Sequence, residues 1–301
     1  MTRVMRMLDP VLRVRRSFVS PPRSASEIEA GLRSRPEPEP ARLPASLRRL
    51  CTVREQRVEG RRVITLTPRR GSTGVELIHA HGGYYVHPLV APHWAFLEAL
   101  IRASGVTVTV PLYGLAPEHA GEEALPFLSA VYLGVRDRAG AHPVFLSGDS
   151  AGGGLAVAQA LRFARGGLPA PQGLILIAPW LDVTMTDPDI VAMEKVDPML
   201  DVTRARVSGR LWAGGRDPRD PEVSPLFASR SALAGLPPVR IVQGGRDLLL
   251  PDVRRFARRL REAGVDEVTR IYPDGFHVFV GVPALPESRS ALAWIAAFLV
   301  P

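Results

Sequence analysis

Gly148-Asp149-Ser150-Ala151-Gly152 lies between an apolar run, Val144-Phe145-Leu146, and a Gly- and Ala-rich stretch from Gly153 to Arg165. The run has the character of a buried strand and the stretch that of a helix. A strand turning sharply into a helix through G-x-S-x-G holds its serine on a strained turn, with the hydroxyl exposed above the sheet. Small residues flank the serine because the turn is tight and side chains there would meet neighbouring backbone. Ser150 is therefore the candidate nucleophile. Such a pentapeptide also arises by chance in a chain with many glycines and serines, so the serine's partners must be sought.

Outward from this turn the chain alternates strand and helix. Val63–Thr67, Val75–His79, Val106–Val110, Val144–Ser147, Leu174–Ala178, Val239–Gln243 and Val268–Tyr272 are short and rich in Val, Ile and Leu. Several are apolar throughout, as strands buried on both faces are. Between them, 92–103, 123–138, 153–165, 251–263 and 287–299 have the character of helices. Repeated β-then-α units give an α/β fold with a parallel sheet flanked by helices. Residues 182–232 break the rhythm, being too long for one crossover helix. Residues 1–50 also differ. Leu8, Val11, Leu12 and Val14 suit one short amphipathic helix, and Ile28 and Leu32 another. Pro21-Pro22 and the run Pro36 to Pro40 must be loop or extended chain. This segment is either a frayed tail or a helical lobe that joins the 182–232 insertion as a lid.

A serine is a poor nucleophile until a base takes its proton, an acid orients that base, and donors receive the developing oxyanion. With a serine on such a turn, chain order runs Ser, acid, His. Of the seven histidines only His277 follows Ser150. It sits just beyond the last strand, at the sheet edge where the serine lies. Asp247 follows the strand Val239–Gln243 and a Gly244-Gly245 turn, so it reaches the same edge and can hold the His277 tautomer. Asp252 suits the first turn of the next helix, and Asp274 suits a turn. For the oxyanion, His81-Gly82-Gly83-Tyr84 follows a strand. Consecutive glycines let backbone N–H groups approach a ligand. Gly82, Gly83 and Ala151 are the expected donors.

The chain has 301 residues, 46% hydrophobic and 23% charged, enough for one large core. The formal charge of +8 comes almost wholly from arginine, since Lys195 is the sole lysine. The arginines are scattered among acidic residues with no basic stripe, so nucleic acid is not an expected partner. One cysteine, Cys51, excludes an intrachain disulfide, and no zinc-type spacing occurs. The arginine-rich start has no continuous apolar core or cleavage site of a signal peptide. No run reaches membrane-spanning length. A cytoplasmic location is the expectation.

These pieces resemble the bacterial hormone-sensitive-lipase family of carboxylesterases, a branch of the α/β-hydrolases. The resemblance covers roughly residues 60–300. Beyond the two glycine motifs it is carried by Leu115-Ala116-Pro117-Glu118-His119, Asp197-Pro198-Met199-Leu200 and Ser224-Pro225-Leu226. It implies an eight-stranded, mostly parallel sheet in a catalytic domain of residues 51–301. A helical cap would be built from residues 1–50 and an insertion at about 182–225. It implies hydrolysis of short- to medium-chain esters with no cofactor or metal, and leaves room for a homodimer through an edge strand. Two residues depart from the pattern. Tyr84 stands where Gly or Ala is commoner and could narrow the acyl pocket. Gly114 stands where arginine is usual, so a structural salt bridge could be missing. A His-Gly-Gly-aromatic pattern also occurs in related formamidases. An amidase, formamidase or deacetylase of a small metabolite is thus one alternative, and a non-catalytic ligand-binding protein is another. Trp180, after a strand, suits either the pocket or packing in the core or between cap and core, and Trp212, in the insertion, is a further candidate for touching substrate. Trp94 and Trp294 suit the core.

Overall fold

Eight strands form one sheet in the order β1-β2-β4-β3-β5-β6-β7-β8. They are β1 (Cys51–Val58), β2 (Arg61–Pro68), β3 (Glu76–Ala80), β4 (Thr107–Pro111), β5 (Val144–Asp149), β6 (Leu174–Ile177), β7 (Val239–Gly244) and β8 (Glu267–Tyr272). The computed structural model describes residues 4–19 and 24–300. The Pro21-Pro22 loop expected from the sequence lies outside the described residues. Strands β4 to β8 pair in parallel with β3 among them, while β1–β2 and β2–β4 are antiparallel. The fold is that of an α/β-hydrolase.

Burial explains which strands were readable. β3, β4, β5 and β6 are buried at every position, so each is dominated by apolar and small residues, with Glu76, His79 and Asp149 as buried polar exceptions. β1 is an edge strand of sequence CTVREQRV whose residues alternate in exposure. Its charged positions face solvent, so its apolar signal is too thin to stand out.

Helices cover both faces. Leu125 and Phe127 of helix Gly121–Ala139, Leu155 and Phe163 of helix Ala151–Gly166, and Val253 and Phe256 of helix Leu250–Glu262 belong to one core. Trp94, Phe96 and Leu97 of helix Ala91–Ser104 and Ile295 and Leu299 of helix Pro286–Leu299 belong to the other. Each expected helix lies within two residues of its observed bounds, apart from ends that fray.

The N-terminal segment is helical at Val4–Met7, Asp9–Val19, Ala25–Ser34 and Ala45–Leu50. Helix Ala25–Ser34 starts at a capping box, in which Ser24 and Glu27 exchange side-chain and backbone hydrogen bonds. Ile28 and Leu32 are buried. The residues from Pro36 to Pro40 are non-helical. Between β6 and β7 the insertion carries helices Ile190–Val196, Val202–Ala213 and Arg230–Leu233. The two segments meet: helix Ala25–Ser34 packs on helix Val202–Ala213, and Arg13 donates to the carbonyls of Lys195 and Val196 at 3.3 Å. Arg246, at the carboxyl edge of the sheet, pairs with Asp9.

In chain order β3 is followed by β4 on one side of it and β5 on the other. The connections therefore diverge between β3 and β5, leaving a crevice beyond their carboxyl ends. Residues 81–84 leave β3 there and Ser150 leaves β5.

Candidate active site

Ser150 sits at φ 52°, ψ −121°, on the N-cap of helix Ala151–Gly166. A non-glycine residue at positive φ is strained, and the surroundings show what holds it. Ser150 N–H donates to the Ile177 carbonyl at 2.8 Å, and its own carbonyl accepts from Trp180 N–H at 2.8 Å. A Cβ on Gly148 would lie 2.1 Å from the Gly152 carbonyl oxygen. One on Gly152 would lie 2.0 Å from the Ala80 carbonyl oxygen. The turn closes because both are glycine.

His277 follows β8 and Asp247 follows β7, and the sheet brings them to Ser150. His277 Nε2 is 2.9 Å from Ser150 Oγ, and His277 Nδ1 is 2.9 Å from Asp247 Oδ2. A carboxylate can only accept, so Nδ1 carries the proton and the neutral ring presents Nε2 as acceptor to the serine hydroxyl. All three side chains are buried. Burial opposes a charge on His277. The Asp247 carboxylate, with Asp197 and Asp149 behind it, more than offsets this, and the ring titrates above the usual histidine range. Asp252 instead opens helix Leu250–Glu262, and Asp274 pairs with Arg6 at 2.5 Å.

Asp149 does not approach a reacting position. Its Oδ1 accepts from Gly82 N–H at 3.1 Å and from His79 Nε2 at 3.2 Å, and its Oδ2 lies 3.3 Å from His93 Nε2. Burial works against this charge, but His93 and His79 outweigh it and hold the carboxyl far below its usual range. The contact corrects one expectation. Gly82 was a candidate oxyanion donor, yet its N–H is engaged by Asp149. The N–H groups of Gly83 and Ala151 have no acceptor among the described residues; that of Ala151 is the first of its helix. His81 stacks on Tyr113 with centroids 4.5 Å apart and donates from Nδ1 to the Gly82 carbonyl at 2.8 Å. Burial, with His93 adding to it, lowers His81 to about 3, so it stays neutral and braces the loop.

Asp197 is a second buried carboxylate beside Asp247. It accepts from Leu248 N–H at 2.7 Å, Met199 N–H at 2.6 Å and Leu200 N–H at 2.9 Å. It thereby ties the insertion to the loop carrying Asp247. The sequence marked residues 197–200 only as a landmark. The signal for a positioning role was the Asp-Pro turn after a helix, which says nothing of what lies opposite.

A cavity of about 300 Å³ opens onto Ser150 and His277. Leu12, Tyr84, Phe96, Met199, Leu200 and Val282 are among its walls. Tyr84 is among these walls, with its hydroxyl accepting from Asp201 N–H at 3.3 Å. Trp180 and Trp212 do not line it. Both are fully buried behind the Tyr84–Tyr85 turn, where Tyr85 stacks on Trp212 at 4.1 Å and on Trp180 at 5.5 Å. Their positions, after a strand and in the insertion, made them candidates for the pocket, but stacking on Tyr85 buries them outside it. Gly114 is also explained. A Cβ there would lie 2.6 Å from Arg61 Nη1, and Arg61 binds His119 and Glu123 at 3.1 Å. The guanidinium comes from β2 rather than from position 114, so this region has its ion pair.

A family model described as the alpha/beta hydrolase fold matches residues 77–281. The chain belongs to this α/β-hydrolase family. Within the family, the hydrolase is 33% identical to an esterase of Acinetobacter venetianus over 226 residues, covering 74% of this chain and 73% of the relative. It is 34% identical over 231 residues to an acetyl-hydrolase of Streptomyces hygroscopicus, covering 75% of each. A crystal structure of an esterase from the bacterial hormone-sensitive lipase family superposes with a TM-score of 0.81 at 28% identity, over 99% of this chain and 98% of that one. The hydrolase is a member of that bacterial hormone-sensitive-lipase family. Among the described residues of the hydrolase, no helix is long and apolar enough to cross a membrane. No group of three or more His, Cys, Asp or Glu could hold a metal ion among them.

Proposed function

We propose that this carboxylic ester hydrolase acts through Ser150 as nucleophile, His277 as general base and then acid, and Asp247 as the group that orients His277. The observation that carries the reading is the unbroken chain of contacts, 2.9 Å from Ser150 Oγ to His277 Nε2 and 2.9 Å from His277 Nδ1 to Asp247. Ser150 Oγ attacks the ester carbonyl as His277 Nε2 takes its proton. Asp247 stabilises the imidazolium without itself becoming protonated. The oxyanion is received by the N–H groups of Gly83 and Ala151, while Gly82 N–H stays on Asp149 and sets the loop's position. Collapse expels the alcohol, which takes the proton from His277. Water, deprotonated by the same base, then releases the acid from the acyl-enzyme.

The substrates are esters of short to medium acyl chains, a size that suits a cavity of about 300 Å³. Residues 1–50 and about 182–225 act as a cap over the sheet edge, supported by their mutual contacts and by Leu12, Met199 and Leu200 in the cavity wall. The test is hydrolysis of a 4-nitrophenyl ester series, acetate to dodecanoate, by wild type and Ser150→Ala, with fluorophosphonate labelling of both. Activity and labelling confined to wild type are expected, with a loss of about 10⁴-fold or more in Ser150→Ala. Near-native turnover by Ser150→Ala would overturn the assignment.

A further inference from the structure

Helices Val4–Met7 and Asp9–Val19 run on as nearly one coil, with Leu8 N–H on the Met5 carbonyl and Leu12 N–H on the Leu8 carbonyl. The coil has two different faces. Met5 is fully buried, and Leu8 and Leu12 pack against the core that holds Trp94 and Leu97. Leu12 also lines the cavity over Ser150. The opposite face holds Met7, Val11 and Val14, spaced four and three residues apart as one helical stripe. They are 74%, 65% and 54% exposed, and with Val191 they are the four most exposed large apolar side chains among the described residues. Single exposed apolar residues are ordinary, but a stripe of them marks an interaction surface.

The insertion adds to this surface. Arg13 reaches the Lys195 and Val196 carbonyls, so the end of helix Ile190–Val196 lies beside the coil, and Val196 is exposed. Val90 and Val282 are exposed and line the same cavity as Leu12, so the cavity opens beside the coil. The charges bordering the stripe do not balance. Arg13 and Lys195 are exposed and form no ion pair among the described residues. The acids nearby are engaged: Asp9 pairs with Arg246, Asp274 pairs with Arg6, and Glu194 accepts from Val202 N–H at 2.9 Å.

We propose that this face docks the hydrolase on an anionic phospholipid surface, with Met7, Val11 and Val14 among the upper acyl chains, Arg13 and Lys195 at the headgroups, and the cavity mouth turned to the bilayer from which it draws esters. Hydrolysis by the docked enzyme rests on the Ser150 reading; the docking itself does not. An amphipathic helix with an apolar stripe and basic residues beside it lies in the plane of such an interface, and each basic residue near the surface adds attraction to anionic lipid. A second copy of this chain suits the face less, because it would bring Arg13, Lys195 and a net charge of +8 against their own kind.

The experiment is co-sedimentation of the full chain with vesicles of phosphatidylcholine alone and of equal parts phosphatidylcholine and phosphatidylglycerol. Wild type is expected to bind the anionic vesicles at least about tenfold more tightly, and less so in high salt. Met7→Gln/Val11→Gln should weaken that binding about tenfold, and Lys195→Gln about fivefold, the share of one basic residue. Leu133→Gln removes an exposed apolar side chain from helix Gly121–Ala139, outside the cap, and should leave binding unchanged, as should Ser150→Ala. Anionic vesicles should also speed hydrolysis of 4-nitrophenyl octanoate dissolved in them, relative to phosphatidylcholine vesicles, in wild type but not in Met7→Gln/Val11→Gln, while both turn over soluble 4-nitrophenyl acetate alike. Absence of binding to anionic vesicles, binding undiminished in Met7→Gln/Val11→Gln, or binding without a gain on the vesicle-borne ester would overturn the proposal. A wild-type dimer that Met7→Gln/Val11→Gln dissolves would also overturn it, by giving the face to a second copy. Failure of the Ser150 reading would look different: Ser150→Ala would hydrolyse the soluble ester as wild type does, whatever the binding.

Discussion

Replacing Gly152 by alanine is expected to lower kcat about a hundredfold in a chain that still folds. The magnitude follows from where the methyl group would sit. Its carbon would lie 2.0 Å from the Ala80 carbonyl oxygen, 2.5 Å from the Ala80 carbonyl carbon and 2.6 Å from the His81 carbonyl oxygen. Ordinary contact begins at 3.4 Å, so the two sides must part by more than 1 Å, roughly the distance at which close-packed atoms lose contact. Those three atoms belong to β3 and the turn after it, and β3 is held by β4 and β5 on either side. The relief therefore falls on the first turn of helix Ala151–Gly166, and Ser150 moves with it as the N-cap. Its 2.9 Å contact with His277 would open past the reach of proton transfer, about 3.2 Å. A misplacement of about 1 Å costs about 10²-fold. The assay is kcat on 4-nitrophenyl butyrate, with thermal unfolding and circular dichroism to establish folding. Gly134→Ala is the control, because a methyl there meets nothing within 4 Å. It should keep full activity and gain about 0.5–1 kcal/mol of stability. A folded Gly152→Ala enzyme with wild-type kcat would refute the claim that close approach of helix and strand positions the nucleophile.

Three further outcomes are expected. His277 must be neutral to accept the serine proton, and its pKa is raised because Asp247 outweighs the effect of burial; kcat/KM should therefore fall as pH drops through a value above about 6.5, and a pH–rate profile with its acid limb well below 6.5 would contradict the pairing. Asp252 is buried with one oxygen lacking a partner, and burial first, then Asp182, push its carboxyl up to about 7. With the folded pKa above the unfolded one, it favours the fold at low pH and loses that contribution as pH rises from the ordinary carboxylate range to about 7; Asp252→Asn should raise Tm relative to wild type more at pH 8 than at pH 5, and equal shifts at both would count against it. Met199→Ala should extend the acyl-chain optimum because Met199 walls the cavity, whereas Trp212→Phe, outside it, should leave the 4-nitrophenyl ester profile unchanged; a profile altered by Trp212→Phe alone would reverse that assignment.

Much of the site was legible because its parts depend on local backbone. Gly148, Ser150 and Gly152 announce a strained turn, since few other residues allow it. Asp247 and His277 could be picked because each follows a strand of the alternating strand–helix pattern, and parallel strands bring their carboxyl ends to one edge. β1 was not legible as a strand because it is a charged edge. His79 and His93, set aside as bases because they precede Ser150, turn out to be partners of Asp149. Trp180 and Trp212 had the positions of substrate contacts, and nothing in the sequence distinguishes a tryptophan in a pocket from one stacked behind it.

The sequence by itself therefore determined the α/β fold, its parallel sheet and the three residues at its carboxyl edge, because strand periodicity, glycine turns and chain order are local properties. Only the tertiary structure decided what those residues meet. Gly82 N–H turned to Asp149, and Arg61 filled the space beside Gly114. Such encounters follow from how segments distant in the chain pack on each other, and that packing leaves no periodic trace in either one.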